Sequence, residues 1–282
     1  MRYLIPAAGM GRRLGDTLGG LPKCMIEIAG EPLIGRLLRQ IRTSDPAADI
    51  HVVLGCRSEV VTPVVGSAKI ILNPFFDITG IDASLWFARQ SFDRSLMVIH
   101  ADLVLCDRLA AALFAAEPPT LMAFDSSMRD PREINVAVSA GHVVRFDENM
   151  TEFSGVYAGV LKLSSHGAAA FAESLDRQIR GGFNDPKAYY FHVVRALIED
   201  FGIDISAFDI AGADWQEIDR PCDLAAARAR FDHAPGAASS GPAARGSLTG
   251  HTGPSDPRAL PDQESAIVSR SVLSSPTCAQ ES

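Results

Sequence analysis

Short apolar runs alternate with helix-periodic stretches along residues 1–232, the arrangement of a mostly parallel sheet covered by helices. The runs Arg2–Ala7, Ile50–Leu54, Lys69–Leu72 and Leu96–Ile99 predict strands. Helices are predicted over Pro32–Arg42, with Pro in the first turn, Ser84–Gln90 and Asp107–Ala116. Past Thr120 the runs shorten, predicting strands over Leu121–Phe124, Asn135–Val138, Val143–Phe146 and Val156–Lys162, with a hairpin turn at Gly141. Helices over Ser165–Arg177 and Pro186–Asp200, a strand over Ile205–Ile210 and a last helix over Asp223–Arg230 complete the α/β pattern.

Composition sets the limits on this pattern. The chain has 282 residues, 47% apolar and 21% charged, with a formal net charge of −8, enough for one large domain or two small ones. An acidic balance disfavours nucleic acid and anionic membranes as partners, yet a local basic cluster still suits a phosphorylated small molecule. No apolar run approaches the roughly 18 residues that span a bilayer. Arg12 and Arg13 interrupt the first apolar segment too early for a secretory leader, so it reads as a buried strand. Cys24, Cys56, Cys106, Cys222 and Cys278 are scattered without a CxxC pair, which fits reduced thiols in a cytoplasmic protein. From Ala234 to Ser282, 24 of 49 residues are Gly, Pro, Ser or Thr and none is aromatic, which predicts a disordered tail over residues 233–282.

Candidate chemistry begins at Ile5-Pro6-Ala7-Ala8-Gly9-Met10-Gly11-Arg12-Arg13-Leu14. Small residues at the carboxyl end of a strand let backbone N–H groups approach phosphate oxygens. Ala7, Ala8, Gly9, Met10, Gly11, Arg12 and Arg13 are therefore candidate nucleotide contacts, although a plain tight turn reads the same way. Leu14 stands where a dinucleotide fingerprint wants a third glycine, and Gly55-Cys56-Arg57 replaces its acidic residue, which disfavours a nicotinamide-dependent oxidoreductase. No Gly-Lys-Ser or Gly-Lys-Thr is present, which excludes a P-loop. Residues 1–23 carry Arg2, Arg12, Arg13 and Lys23 against Asp16, a local +3.

The composite Ala-Ala-Gly-x-Gly-x-Arg-Leu, a loop, then Pro22-Lys23, followed by an apolar strand-like stretch up to Gly30, resembles the signature of the sugar-phosphate nucleotidyltransferase superfamily. The resemblance extends over about residues 2–230, and is greatest to the choline-phosphate cytidylyltransferase-like branch. It implies a Rossmann-like three-layer α/β/α nucleotide-diphospho-sugar transferase fold with a mostly parallel mixed sheet, residues 1–120 forming a nucleotide-binding half and 121–232 an acceptor-binding half. It also implies catalytic roles for Arg13, on the triphosphate, and Lys23, neutralising charge at the α-phosphate.

Leu96-Met97-Val98-Ile99-His100-Ala101-Asp102 ends on an aspartate, where open α/β sheets place ligands. A carboxylate there suits Mg²⁺, a hard cation that takes oxygen ligands, and the resemblance supports that role. In Trp215-Gln216-Glu217-Ile218-Asp219 the two carboxylates alternate around an apolar residue and share one side of an extended segment. Glu217 and Asp219 are thus candidates to share the cation with Asp102; the structural alternatives are a turn cap for Asp102 and a solvated face for the pair. The histidines are dispersed and suggest no nucleophilic triad. None is needed, since a phosphate or phosphonate acceptor is largely ionised near neutral pH.

Asn73, Thr79, Ser84 and Leu85 match the family segment that runs through Thr-Asn-Asn to Ser-Leu, with Gly80 and Ile81 in place of the paired asparagines. The resemblance makes Asn73 and Ser84 nucleotide-binding candidates; Ser84 as a helix cap is the alternative. Tyr157, Tyr189, Tyr190 and Trp215 are candidates for an aromatic acceptor cage and Asp185 for binding an amine, with core packing as the alternative for the aromatics. Lys162 or Lys187 would meet an acceptor phosphate. The resemblance implies an Mg²⁺-dependent transfer of NMP from an NTP, CTP favoured, to a small phosphorylated alcohol, phosphonate or sugar phosphate. A catalytically silent, nucleotide-sensing regulatory subunit is the alternative. Oligomeric state is left open.

Overall fold

The computed structural model describes residues 1–117, 119–181 and 190–232. The tail expected over 233–282 and the candidates Asp185, Lys187 and Tyr189 lie outside the described residues. The chain runs through β1 (Arg2–Ala7), β2 (Glu27–Ile28), β3 (Glu31–Pro32), α1 (Leu33–Ser44), β4 (Asp49–Leu54), α2 (Ser58–Val65), β5 (Lys69–Leu72) and α3 (Ile81–Phe87). It continues with β6 (Leu96–Ile99), β7 (Leu103–Leu105), α4 (Asp107–Phe114), β8 (Leu121–Asp125), β9 (Ile134–Ser139), β10 (His142–Glu148) and β11 (Gly155–Leu163). Then come α5 (Ser165–Arg180), α6 (Tyr190–Glu199), β12 (Ser206–Asp209), β13 (Trp215–Glu217) and α7 (Pro221–Phe231).

Among the described residues one nine-stranded sheet follows the order β5-β4-β1-β6-β11-β8-β12-β10-β9. Its first four strands pair in parallel, and β11 then runs antiparallel to both β6 and β8. The sheet is thus mixed, as expected from the sequence, with its parallel run in the first half and antiparallel pairs in the second, and a single sheet passes through both halves. Strands buried on both faces read as continuous apolar runs. In β1, Tyr3 and Ile5 enter one apolar cluster with Leu37 of α1, Val61 of α2 and Leu109 of α4. Leu4 enters the other, with Leu85 of α3, Phe171 of α5 and Val193 of α6. The same alternation in β6 sends Met97 and Ile99 to the first cluster and Leu96 and Val98 to the second, which makes the three layers. Each such side chain contributes roughly 1.5–3 kcal/mol relative to exposure.

Three local expectations change. Helix α2 is absent from the pattern because Val-Val-Thr-Pro-Val-Val has poor helix propensity, and burial of Val61 and Val65 overrides it. The segment after Pro22 forms a 3₁₀ turn over Lys23–Met25 before the two-residue β2, where a longer strand was expected. Helix α3 starts at Ile81 with Gly80 at its N-cap, so Ser84 lies inside the helix and does not cap it.

Arg2 also leaves the cluster assigned to the first loop. It sits at the opposite end of β1, about 16 Å of strand from Ala7. There its buried guanidinium donates to Asp49 Oδ2 at 2.8 Å, to the Ser91 carbonyl at 2.8 Å and to Asp93. His51 joins this knot through Ser91 Oγ at 2.7 Å and Asp49 Oδ1 at 3.0 Å. Among the described residues no helix is long and apolar enough to cross a membrane.

Candidate active site

The carboxyl ends of β1 and β6 open onto a cleft of about 760 Å³. Residues Ala7 to Arg13 line one wall. Gly11 has φ +65°, and a Cβ there would lie 2.7 Å from Leu18 Cδ1 and 3.2 Å from Lys23 Cβ. Both the dihedral and the space require glycine, and the close approach folds the loop back over Lys23. Arg12 Nη2 donates to the Asp77 carbonyl at 2.8 Å, tying this loop to the segment after β5.

Strand β13 pairs antiparallel with β7, and the Ile218 N–H donates to the Asp102 carbonyl at 3.0 Å. This register lays Glu217-Ile218-Asp219 alongside Asp102. Ile218 is fully buried among Leu14, Leu18, Ile28 and Val104, so the carboxylates flanking it point the other way, into the cleft. Asp223 Oδ2 accepts the N–H groups of Asp219 at 3.0 Å and Arg220 at 2.7 Å, fixing the turn into α7.

Lys23 bridges the two acids: Nζ donates to Asp102 Oδ2 at 2.6 Å and to Asp219 Oδ1. Arg13 Nη1 meets the other oxygen, Asp219 Oδ2, at 2.9 Å. Burial pulls the Lys23 ammonium down, but the two carboxylates outweigh it and push it up to about 12. Burial would raise the Asp102 carboxyl; Lys23, with help from His100, holds it below its ordinary range. Glu217 moves up, through burial and the neighbouring Asp102 charge, against the pull of His100. Glu133, also on the cleft, is raised by burial and by Glu217 and Asp219. Negative charge is therefore crowded at this end.

His100 Nδ1 lies 3.8 Å from Glu217 Oε1. Its ring meets Tyr157 and Tyr190 edge-on, at centroid distances of 5.5 and 5.6 Å, and the two tyrosine hydroxyls share a hydrogen bond of 3.1 Å. Two buried atoms here have no hydrogen-bond partner, His100 Nε2 and Asp102 Oδ1. Donor atoms of His100, Asp102 and Glu217 lie within 4.8 Å of one another, the cluster among the described residues suited to a metal ion.

Residues 3–142 match the MobA-like NTP transferase domain. This stretch of the chain belongs to the MobA-like NTP transferase family. The chain is 29% identical over 228 residues to a bifunctional IPC transferase and DIPP synthase of Rubrobacter xylanophilus, covering 77% of this chain and 49% of that protein. It is 26% identical over 257 residues to a CMP-5'-(3-aminopropyl)phosphonate synthase of Streptomyces rubellomurinus, covering 82% and 39% respectively. The chain thus spans half or less of the length of these relatives. The CTP:phosphocholine cytidylyltransferase of Streptococcus pneumoniae shares the fold, with a TM-score of 0.67 and 17% identity over 81% of this chain and 97% of that one.

The structure gathers Ala7 to Arg13, Lys23, Ser84, Asp102, Tyr157, Glu217 and Asp219 around one cleft. Asn73 stands behind it, fully buried: Nδ2 donates to Thr79 Oγ1 at 3.2 Å and Ser84 Oγ at 3.0 Å, and Oδ1 accepts from the Phe75 N–H at 2.9 Å. Its geometry shapes the segment that carries Phe76, Asp77 and Thr79 to the cleft. Trp215 does not reach the cleft. Its indole is buried in the core, where Asp125 Oδ2 accepts its Nε1–H at 2.8 Å, although alternation along β13 places it on the same side as Glu217. Lys162 is likewise buried, donating to the Ala116 carbonyl at the far end of β11. Tyr190, a cage candidate, lines the cleft with Tyr157, and the cleft also takes residues that the sequence did not single out: His100, Glu133 and Glu148. His100 had a signal, standing two residues before Asp102 at a strand end. The glutamates arrive on the β9–β10 hairpin and had none.

Proposed function

We propose that this chain transfers a nucleotidyl group, CMP from CTP by preference, to an anionic oxygen of a small phosphorylated alcohol, phosphonate or sugar phosphate. The observation that carries the reading is Lys23, held between Asp102 and Asp219 beneath a glycine loop at the carboxyl ends of β1 and β6. In the reaction an acceptor oxygen forms a bond to the α-phosphorus and the bond from that phosphorus to the β-bridging oxygen breaks, so that pyrophosphate leaves. The acceptor is already ionised and no base is required.

Lys23 stays protonated across the physiological range and stabilises the charge that builds at the α-phosphate. Arg13 is two-thirds exposed and free to turn from Asp219 to the triphosphate. The backbone of Ala8 to Gly11 receives phosphate oxygens. Asp102, Glu217 and Asp219 fit Mg²⁺, because they are hard oxygen donors and Asp102 Oδ1 is buried without a partner. When bound there, the cation supplies charge neutralisation at the triphosphate. The aromatic floor of Tyr157 and Tyr190, with Glu133 and Glu148 nearby, suits an acceptor that bears an amine. A CTP donor accords with the activities of the phosphocholine cytidylyltransferase and the aminopropylphosphonate synthase. Cys24, Cys56 and Cys106, none of them in a disulfide, accord with a cytoplasmic setting.

The test is a matrix of the four NTPs against phosphocholine, 2-aminoethylphosphonate and sugar 1-phosphates, read as pyrophosphate release. Turnover is expected in the CTP row. Nucleotide binding with no turnover for any pair would instead make the chain a silent, nucleotide-sensing subunit.

A further inference from the structure

We propose that His100 is itself a metal ligand in this cleft, and that its imidazole makes the site prefer a first-row transition-metal ion over Mg²⁺. The inference rests on the reading of the cleft as a metal-assisted nucleotidyl-transfer site and adds a nitrogen donor to the carboxylates considered above.

Three features converge on it. A donor atom from each of His100, Asp102 and Glu217 falls within 4.8 Å of the others, close enough for one ion to meet all three. Asp102 is two-sided: Oδ2 is taken by Lys23 at 2.6 Å, while Oδ1 is buried with no partner. His100 turns Nδ1 towards Glu217, 3.8 Å from Oε1, and a buried polar atom left unpaired, as Asp102 Oδ1 is, is costly unless a ligand satisfies it. Asp219, by contrast, spends both oxygens on Lys23 and Arg13. The donor set open to an ion before Arg13 turns away from Asp219 is one nitrogen and two carboxylates.

That chemistry discriminates between ions. Mg²⁺ takes oxygen ligands and dehydrates reluctantly, whereas imidazole favours the first-row transition metals, with affinity rising from Mn²⁺ towards Co²⁺ and beyond. His100 is held for the task. Its backbone N–H donates to the Gly159 carbonyl at 2.9 Å, and its ring is bracketed edge-on by Tyr157 and Tyr190. Gly159 has φ +71°, and a Cβ there would lie 2.9 Å from Leu103 and 3.2 Å from His100 Cβ, so β11 approaches the histidine at a distance only glycine allows.

Pulsed electron paramagnetic resonance on the full chain loaded with Mn²⁺ tests the ligand without any turnover. The wild type should show ¹⁴N coupling from a directly bound imidazole, and His100→Ala should lose it. In parallel, competition titrations should show that His100→Ala lowers Co²⁺ affinity relative to Mg²⁺ by at least the roughly 10- to 100-fold seen when a supporting partner of a ligand is removed. Bound Mn²⁺ with no ¹⁴N coupling in the wild type overturns the proposal, whether or not the variant folds. Turnover in the NTP and acceptor matrix alongside that negative spectrum would leave the transferase reading standing and reject only the imidazole ligand. An unchanged Co²⁺ to Mg²⁺ ratio in a folded His100→Ala would reject it as well.

Discussion

Replacing Lys23 by Ala separates what this residue does for the fold from what it does for transfer. In the wild type its ammonium bridges Asp102 and Asp219, and the three side chains keep only 13, 21 and 16% of their exposure. Removing it leaves two acids facing each other, with Arg13 as the remaining cation on Asp219. Breaking a fully buried pair costs about 3–5 kcal/mol. Here the cleft admits solvent that screens the residual repulsion, so about 1–3 kcal/mol is expected in a chelator. At about 2 kcal/mol a domain of this size loses roughly 4–8 °C in Tm. Added divalent cation should restore most of that loss in Lys23→Ala while raising the wild-type Tm far less, since a metal ion neutralises the acids that the lysine did. Catalysis should not recover with the fold: kcat falls by about 10²- to 10³-fold, and KM for the NTP moves much less. Differential scanning calorimetry with and without metal, followed by steady-state kinetics, reads both effects. A Tm unchanged in chelator refutes the bridge as a source of stability. A loss confined to KM refutes Lys23 as a transition-state group and leaves it a binding residue.

Three further outcomes follow from the same geometry. Trp215→Phe removes the donor to the buried Asp125 and should cost about 1–3 kcal/mol in denaturant unfolding with unchanged KM for either substrate; a changed acceptor KM would return Trp215 to the site. Burial, with Arg2 and Lys69, lowers the His51 pKa against the pull of Asp49, so the folded protein binds fewer protons there than the unfolded chain. That contribution is complete above the ordinary value of 6.5 and fades as pH falls through the folded value, so Tm should drop on acidification below 6.5 and His51→Gln should flatten the slope; equal slopes would reject the assignment. Truncation after Asp232 should leave kcat and Tm intact, and a large loss of activity would bring residues 233–282 into the working protein.

What the sequence could disclose was what local physics decides. Strands β1 and β6 are buried on both faces, so they stand out as apolar runs, and each ends where ligands gather in an open α/β sheet. Gly11 is demanded by a positive φ and a close approach, two constraints that a short sequence window expresses. Arg2, however, counts as one more positive charge near the loop, although a strand's length carries it to the opposite rim. Proximity along the chain is therefore a poor measure of electrostatic proximity when a strand intervenes.

The site's acidic end shows where that limit bites. Glu217 and Asp219 could be chosen because period-two alternation around Ile218 is local. That they face Asp102 depends on β13 pairing with β7, a contact between distant segments. Trp215 and Glu217 share one side of that strand by simple alternation, yet Trp215 ends in the core, because the strand stops at Glu217 and Asp125 captures the indole N–H. Alternation thus predicts which residues share a side of a segment, and only the tertiary partner decides how much of that side belongs to the cleft. His100 and Asp102 are a case where the two levels agree. They flank Ala101 at the end of β6, their partners on β11 and β13 hold both in the cleft, and each keeps a buried polar atom unpaired. Residues that satisfy the local rule and retain an unmet valence after folding are the ones to test for chemistry first.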